Sequence, residues 1–138
     1  MDIIGIEQRG TTRGPSEWFT GTVWRDTIAI GADPSRLRAT RVSFEPGART
    51  AWHTHPLGQV LHILTGVGRV QCEGGPVHTV RAGDTVIFKP GERHWHGAAP
   101  GHGMVHLALQ EADADGKDVA WMEHVTDGEY NQAANADH

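Results

Sequence analysis

The chain has 138 residues, of which 38% are hydrophobic and 21% charged, and its formal net charge is −5 from 12 basic and 17 acidic side chains. This length favours a single domain, and the acidic balance argues against a nucleic-acid partner. The sequence has no run of roughly 18 apolar residues that would form a membrane helix, and its start, MDIIGIEQRG, has no signal-peptide pattern, so we expect a cytoplasmic protein that binds no membrane.

Glycine and proline pairs divide the chain into short segments rich in β-branched and apolar residues. These segments predict strands at 22–30, 38–44, 59–64, 68–72, 77–80, 85–88 and 104–110. Short strands between frequent turns favour an antiparallel all-β sandwich or barrel. Residues 118–123 are the best candidate for a turn or short helix, and the polar tail 131–138 is expected to be disordered.

Side-chain parity in the segment 38–44 identifies an inward face. Successive residues of a strand point to opposite faces, and Thr40, Val42 and Phe44 form the more apolar of the two. We expect this face to be interior, with Thr40 and Val42 as walls of a small, partly apolar substrate pocket.

The segment 104–110 carries polar groups on one face only. His106 and Gln110 share the even face, whereas the odd face is apolar. We expect the even face to line a cavity and the odd face to pack on another sheet or on another subunit. Exposed strand edges also favour association with another subunit, so the sequence predicts a homodimer or a homotetramer.

The stretch GARTAWHTHPLGQ contains two histidines, His53 and His55, that are separated by one residue. In an extended chain they point the same way with Cα atoms about 7 Å apart, a distance that two imidazoles can bridge around one ion. Such a pair alone is typical of solvated surface. A second block, GDTVIFKPGERHWHG, adds His94, and His96 follows on the same face of that segment.

Together the two blocks resemble the cupin family, whose first motif is G-x5-H-x-H-x3,4-E-x6-G and whose second is G-x5-P-x-G-x2-H-x3-N. Gln59 stands at the glutamate position of the first motif, and Lys89 and Ala98 stand at the proline and asparagine positions of the second. The resemblance implies a single cupin domain over 1–138, an all-β jelly-roll barrel. In that barrel one divalent metal would be held by four side chains: His53, His55, Gln59 and His94.

Gln59 affects the chemistry expected of such a site. Three imidazoles and one amide oxygen are neutral, so a bound ion would keep its full dipositive charge and act as a stronger Lewis acid than with a glutamate ligand. Mixed nitrogen and oxygen ligation with open positions favours manganese, iron, cobalt or nickel over a closed structural zinc site. Ligand types alone do not select among these ions.

Longer matches narrow the resemblance to the small bacterial cupins that include manganese-dependent hydroxynitrile lyases. The matching stretches are FTGTV, FEPGARTAWHTHPLGQ, PGERHWHGAAP, HLALQE and WMEHVTD. The resemblance implies Mn(II) as the first choice of metal, with Fe(II), Co(II), Ni(II) or Zn(II) as alternatives. It also implies a small-molecule substrate, either a cyanohydrin or the corresponding aldehyde or hydroxy compound.

In that subfamily the reaction splits a cyanohydrin into an aldehyde and hydrogen cyanide. The position of His106 lies beside the substrate there, and we expect this histidine to carry a proton near pH 6 to 7 and to act as the base. His96 is expected either to take part in catalysis or to orient the metal ligands. Gln110, on the strand of His106, is expected to contact the substrate.

Two other functions fit the same scaffold. One is a metal-dependent dioxygenase, which needs a redox-active metal and two open coordination positions. The other is a metal-binding or small-molecule-binding cupin without catalytic activity. Oxygen uptake with a phenolic or diketone substrate would favour the dioxygenase.

Overall fold

A computed structural model describes residues 1–135, which are built mainly of short antiparallel strands. The strands are β1 (Thr11–Arg13), β2 (Phe19–Thr20), β3 (Val23–Ile30), β4 (Leu37–Phe44), β5 (Arg49–Thr50), β6 (His53–Thr54), β7 (Gln59–Cys72), β8 (Val77–Arg81), β9 (Thr85–Phe88), β10 (His94–Ala98), β11 (Met104–Glu111), β12 (Ala120–Trp121) and β13 (Ala134–Asn135). The helical elements are a 3₁₀ turn at Ile6–Gln8 and helix α1 at Asp127–Tyr130. The all-β prediction is therefore confirmed.

The strands form one sheet that curls on itself, in the order β1-β3-β4-β11-β7-β10-β5-β2. Strand β7 joins the two halves of the curl, because its first part pairs with β11 and β9 and its second part with β10 and β8. The prediction of two separate strands at 59–64 and 68–72 is wrong, since the chain bends between them without leaving the sheet. Gly66 permits this bend: its φ is 84°, and a Cβ there would lie 2.0 Å from the carbonyl oxygen of Gly103.

The interior of the curl holds the main hydrophobic core. Val42 and Phe44 on β4 are 6% and 3% exposed, and they face Leu61 and Ile63 of β7, which are 0% and 1% exposed. The inward face predicted for 38–44 is therefore confirmed. Part of this core, including Val42 and Phe44, also lines the cavity that contains the histidines, so its close packing fixes the strands that carry them.

A second buried cluster lies outside the barrel wall, behind β10. It is formed by Trp52, Val77, Trp95, Val125 and Tyr130. The hydroxyl of Tyr130 donates to the carbonyl oxygen of Ala98, and a capping box at Thr126 starts the helix that carries Tyr130. This cluster supports β10 from the side opposite to the cavity.

The C-terminal region differs from the prediction. The turn or short helix expected at 118–123 is wrong: Ala120–Trp121 forms a strand that pairs with β6, and the helix lies at Asp127–Tyr130. Part of the tail, Ala134–Asn135, pairs in parallel with β8, while residues 136–138 lie outside the described part of the chain. Within residues 1–135 no helix is long and apolar enough to cross a membrane.

Candidate metal centre and its cavity

Four polar side chains from different parts of the chain meet inside the barrel. His53 on β6 lies opposite His94 on β10 in the strand register. His55 follows β6 directly, and Gln59 begins β7. Their exposed fractions are 0% for His53 and His94, 3% for His55 and 6% for Gln59. Burying this many polar groups costs free energy unless each has a hydrogen-bond partner. Their partners therefore show which atoms are satisfied by the protein and which are left for a ligand.

The Nδ1 atoms of three histidines are bound to backbone carbonyls. His53 Nδ1 lies 2.9 Å from Ala51 O, His55 Nδ1 lies 2.6 Å from Asp118 O, and His94 Nδ1 lies 2.8 Å from Glu92 O. A carbonyl oxygen only accepts, so each Nδ1 carries the hydrogen and each Nε2 of a neutral ring has a lone pair.

The Nε2 atoms of His53, His55 and His94 are the ring nitrogens that their backbone hydrogen bonds leave free. Nε2 of His53 and Nε2 of His55 are buried and have no hydrogen-bond partner among the described residues. Nε2 of His94 faces Oε1 of Gln59 at 3.4 Å. Because neither of these two atoms carries a hydrogen, they are two acceptors directed at the same space, which is the arrangement that a cation stabilises.

The orientation of the Gln59 amide follows from a chain of hydrogen bonds that ends on a carboxylate. Asp118 Oδ2 accepts from Gln110 Nε2 at 3.0 Å, so Gln110 presents Oε1 to Gln59. Gln59 Nε2 donates to that oxygen at 3.2 Å, which leaves Gln59 Oε1 facing the histidines. Asp118 is itself held by Arg38, whose Nη1 lies 2.9 Å from Asp118 Oδ1. Asp118 thus fixes two donors at once, His55 through its carbonyl and Gln59 through its carboxylate.

The histidines of this group are neutral near pH 7. Burial lowers the pKa of His94 to about 4, and it holds the pKa of His53 well below its usual range, with the neighbouring rings of His94 and His55 adding to the effect. Burial also lowers the pKa of His55. Neutral imidazoles with free lone pairs are the form that binds a metal, so the residues present fit a divalent transition ion.

A second set of donors overlaps with the first. Ring nitrogens of His53, His94 and His96 lie within 4.8 Å of one another, so this group could hold an ion. Among the described residues it is the histidine group that meets this spacing, and it contains His96 where the predicted ligand set contains His55. His96 differs in its second nitrogen: Nδ1 lies 3.0 Å from Nε2 of His106, which can either donate or accept. In the described part of the chain, no backbone carbonyl therefore fixes the tautomer of His96, in contrast to His53, His55 and His94.

His96 and His106 form a buried pair beside this group. Burial lowers the pKa of His106 to about 3 and holds the pKa of His96 well below its usual range, with the His106 ring adding to the effect. The prediction that His106 carries a proton near pH 6 to 7 is therefore wrong, because complete removal from water disfavours the imidazolium. The far nitrogens of the pair, Nε2 of His96 and Nδ1 of His106, have no partner among the described residues.

A cavity of about 260 Å³ opens beside these histidines. Thr40, Val42 and Gln110 line it, in the positions that parity predicts, and so does Phe44. The aromatic side chains of Trp18, Phe19 and Trp121 close another part of the wall, and the rings of Trp18 and Trp121 stack with their centroids 5.3 Å apart.

Several contributors to the site were not predicted. Strand β10 was missed because all five of its residues are buried, so it shows no polar and apolar alternation. Asp118 was assigned to a turn or short helix, and Arg25 and Trp18 were given no role, although all three line the cavity. The one available signal was parity, which places Arg25 on the same face of its strand as Val23.

The family described as Cupin domain matches residues 40–109. A protein named (R)-mandelonitrile lyase from Granulicella tundricola is 53% identical over 132 residues, which cover 96% of this chain and 100% of that protein.

Solved structures agree with this fold. A cupin-like protein from Thermotoga maritima has a TM-score of 0.83 and 36% identity, and the match covers 97% of this chain and 100% of that one. A cupin-2 domain from Rhodospirillum rubrum has a TM-score of 0.70 at 18% identity, and the match covers 93% of this chain and 82% of that one. The second likeness supports the barrel fold alone.

Proposed function

The chain belongs to the cupin family, and from this premise we propose that it is a metal-dependent lyase that cleaves and forms cyanohydrins. The observation that carries the proposal is a buried group of neutral donors inside the barrel, in which the ring nitrogens of His53, His94 and His96 lie within 4.8 Å of one another and Gln59 Oε1 lies 3.4 Å from Nε2 of His94. We propose that four side chains hold the ion: His53, His55, Gln59 and His94. The sequence of the mandelonitrile lyase, similar over its whole length, supports the reaction type.

We propose Mn(II) as the bound ion because the sequence resembles manganese-dependent cupins, and the same donors would also accept Fe(II), Co(II), Ni(II) or Zn(II). A divalent ion at this position supplies Lewis acidity to a substrate oxygen. All four protein donors are uncharged, so none of them offsets the charge of the ion. This suits a reaction that develops negative charge on oxygen in both directions, as cyanohydrin cleavage and formation do.

His96 and His106 are the groups that we propose to move the proton. In a neutral pair joined by one hydrogen bond, one far nitrogen has a hydrogen and the other a lone pair. The lone-pair end can accept the proton of the substrate hydroxyl, and the other end can donate a proton to cyanide as the carbon–carbon bond breaks. Burial lowers the pKa of His106, so a positive charge on the pair is disfavoured unless an anion lies beside it.

The substrate pocket that we propose is partly apolar. Val42, Phe44 and Trp18 offer surface for the side chain of an aldehyde, while Thr40 and Gln110 are polar groups at its edge. Phe44 lies close to both catalytic candidates, with its ring centroid 5.2 Å from that of His106 and 5.9 Å from that of His96. A substrate packed on Phe44 would therefore lie beside the proton-transfer pair.

A second copy of the chain is the partner that we propose for the outer face of the sheet. Leu109, Val60 and Ile87 follow one another across β11, β7 and β9 on that face, and Ile87 is 70% exposed. A cleft of about 400 Å³ beside this row has Leu37 and Leu57 in its wall. An apolar row on an unpaired sheet face favours a homodimer or homotetramer, which light scattering after size-exclusion chromatography tests directly.

The proposed function is tested by metal analysis combined with a turnover assay. Purified protein is analysed for its metals, stripped with a chelator and reloaded separately with Mn(II), Fe(II) and Zn(II), and mandelonitrile cleavage is followed by benzaldehyde absorbance. We expect about one ion per chain, loss of turnover on stripping and its return on reloading. Full turnover by the stripped protein would refute the Lewis-acid role. Oxygen consumption with a diketone and no cyanohydrin cleavage would support the dioxygenase alternative instead.

A further inference from the structure

One cationic side chain in the wall of the cavity has no role in the proposed reaction. Arg25 lies on β3 opposite Val42 of β4, and Val42 lies opposite His106 of β11. Residues in one cross-strand row share a face, so Arg25 points to the same interior as His106. Two strand spacings separate their Cα atoms by about 10 Å. An extended arginine side chain crosses most of that distance.

Aromatic rings surround the guanidinium of Arg25. Its Cζ lies 5.6 Å from the ring centroid of Trp18 and 5.7 Å from that of Phe19. Nε is buried and has no hydrogen-bond partner within residues 1–135. These rings hold the cation through cation–π attraction but provide no acceptor for its hydrogens.

The charge of Arg25 is also uncompensated by an acid. Within residues 1–135 no carboxylate lies within 4 Å of its guanidinium, whereas Arg38 and Arg49 each bind one, Asp118 and Asp127 respectively. Asp118 is the acid that lines the cavity, and it is already held by Arg38. The cavity therefore has an excess positive charge before any ion binds, and a metal at the histidines would increase it.

We propose that Arg25 is a carboxylate-binding subsite, and that the substrates of the cavity include small 2-hydroxy or 2-oxo acids whose other oxygen lies at the metal centre. The metal part of this statement rests on the proposed function; the carboxylate part rests on Arg25 alone. A guanidinium binds a carboxylate through two parallel hydrogen bonds, while linear cyanide can satisfy one at most. The unpaired donors of Arg25 thus match the acid better than the leaving group.

Mandelate and mandelamide provide a matched pair of probes. They have the same ring and hydroxyl group and differ in the charge of the terminal group. Their binding to the Mn(II)-loaded protein is measured by titration calorimetry for the wild type and for Arg25→Gln, Arg25→Lys and the control Arg41→Gln. Arg41 lies on the outer face of the neighbouring strand, with Nη1 3.5 Å from the hydroxyl of Ser43. Thermal melting verifies that each variant is folded.

We expect Arg25→Gln to weaken mandelate binding about 10- to 100-fold, the range for loss of charge-assisted hydrogen bonds. The affinity for mandelamide should change by less than about 3-fold in Arg25→Gln. The mandelate affinity of Arg25→Lys should lie between those of the wild type and Arg25→Gln, and that of Arg41→Gln should equal the wild-type value. Equal mandelate affinity in the wild type and in Arg25→Gln would overturn the proposal. Weaker binding of azide, a linear stand-in for cyanide, with mandelate unchanged would overturn it too.

The test separates this subsite from the lyase activity. Calorimetry needs no turnover, so a protein that binds mandelate through Arg25 but does not cleave mandelonitrile would keep the subsite and refute the proposed reaction. Cleavage of mandelonitrile, together with an unchanged mandelate affinity in Arg25→Gln, would support the proposed reaction and refute the subsite.

Discussion

Replacing Asp118 by asparagine should weaken metal binding without removing any metal ligand. The carboxylate accepts from Gln110 on one oxygen and from Arg38 on the other. An asparagine has one acceptor for these two donors. If its NH₂ group faces Gln110, the amides of Gln110 and Gln59 both turn over, and Gln59 presents NH₂ to the metal centre. If the asparagine NH₂ group faces Arg38 instead, a hydrogen-bond donor lies against the positively charged guanidinium, and the hydrogen bond to Arg38 is lost.

The size of the effect follows from the interactions lost. A hydrogen bond to a charged group contributes about 1.5–3 kcal/mol, and every 1.4 kcal/mol is a factor of ten in affinity. Asp118→Asn should therefore reduce metal affinity about 10- to 100-fold, the range for partners that orient metal ligands. The backbone carbonyl at position 118, which binds His55, stays in place. The loss of metal affinity should therefore be smaller than the loss caused by removing a metal ligand.

The assay is competition for Mn(II) with a metal-sensitive dye. Asp115→Asn is the control, because Asp115 is an exposed acid of the same loop. Gln59→Glu in the Asp118→Asn background should restore affinity, since a carboxylate has two acceptor oxygens and no wrong orientation. Wild-type affinity in Asp118→Asn, or no recovery in the double variant, would refute the orienting role of Asp118.

Three further predictions concern the histidines. Replacing His53 or His94 by alanine should remove the metal and abolish turnover together, which metal analysis beside the cleavage assay measures; turnover without bound metal would contradict it. Replacing His106 by alanine should slow cleavage about 100-fold or more at unchanged metal content, and an unchanged rate would exclude it from proton transfer. Metal-free protein should lose stability as pH falls from about 6.5 towards 4, because His94 and His106 stay neutral in the fold while the unfolded chain takes up their protons; each adds a slope of about 1.4 kcal/mol per pH unit. Urea unfolding at several pH values measures this slope, and a midpoint that is flat over the range would contradict it.

Much of the barrel could be predicted because side chains of different polarity alternate along its strands. In β4 and β11 the alternation gave the correct interior face, and the structure places Val42, Phe44 and His106 there. Strand β10 shows where this signal fails. Its histidines face the cavity while Trp95 enters the second cluster, so both faces are buried and no alternation results.

Contacts between distant parts of the chain were beyond sequence reasoning. Asp118 reaches Arg38 across 80 residues and His55 across 63, and no local pattern encodes such pairings. The state of His106 was mispredicted for a related reason. Its spacing indicated the correct face, but its pKa depends on complete burial beside His96, which only the assembled barrel determines.

The most direct test of the account is the position of the metal itself. Crystals of the Mn(II)-loaded protein, with anomalous diffraction data collected at the manganese edge, should give one peak per chain within coordination distance of four atoms. These are Nε2 of His53, Nε2 of His55, Nε2 of His94 and Oε1 of Gln59. A peak bound by His96 in place of His55 and Gln59, or no peak among these histidines, would contradict the central claim.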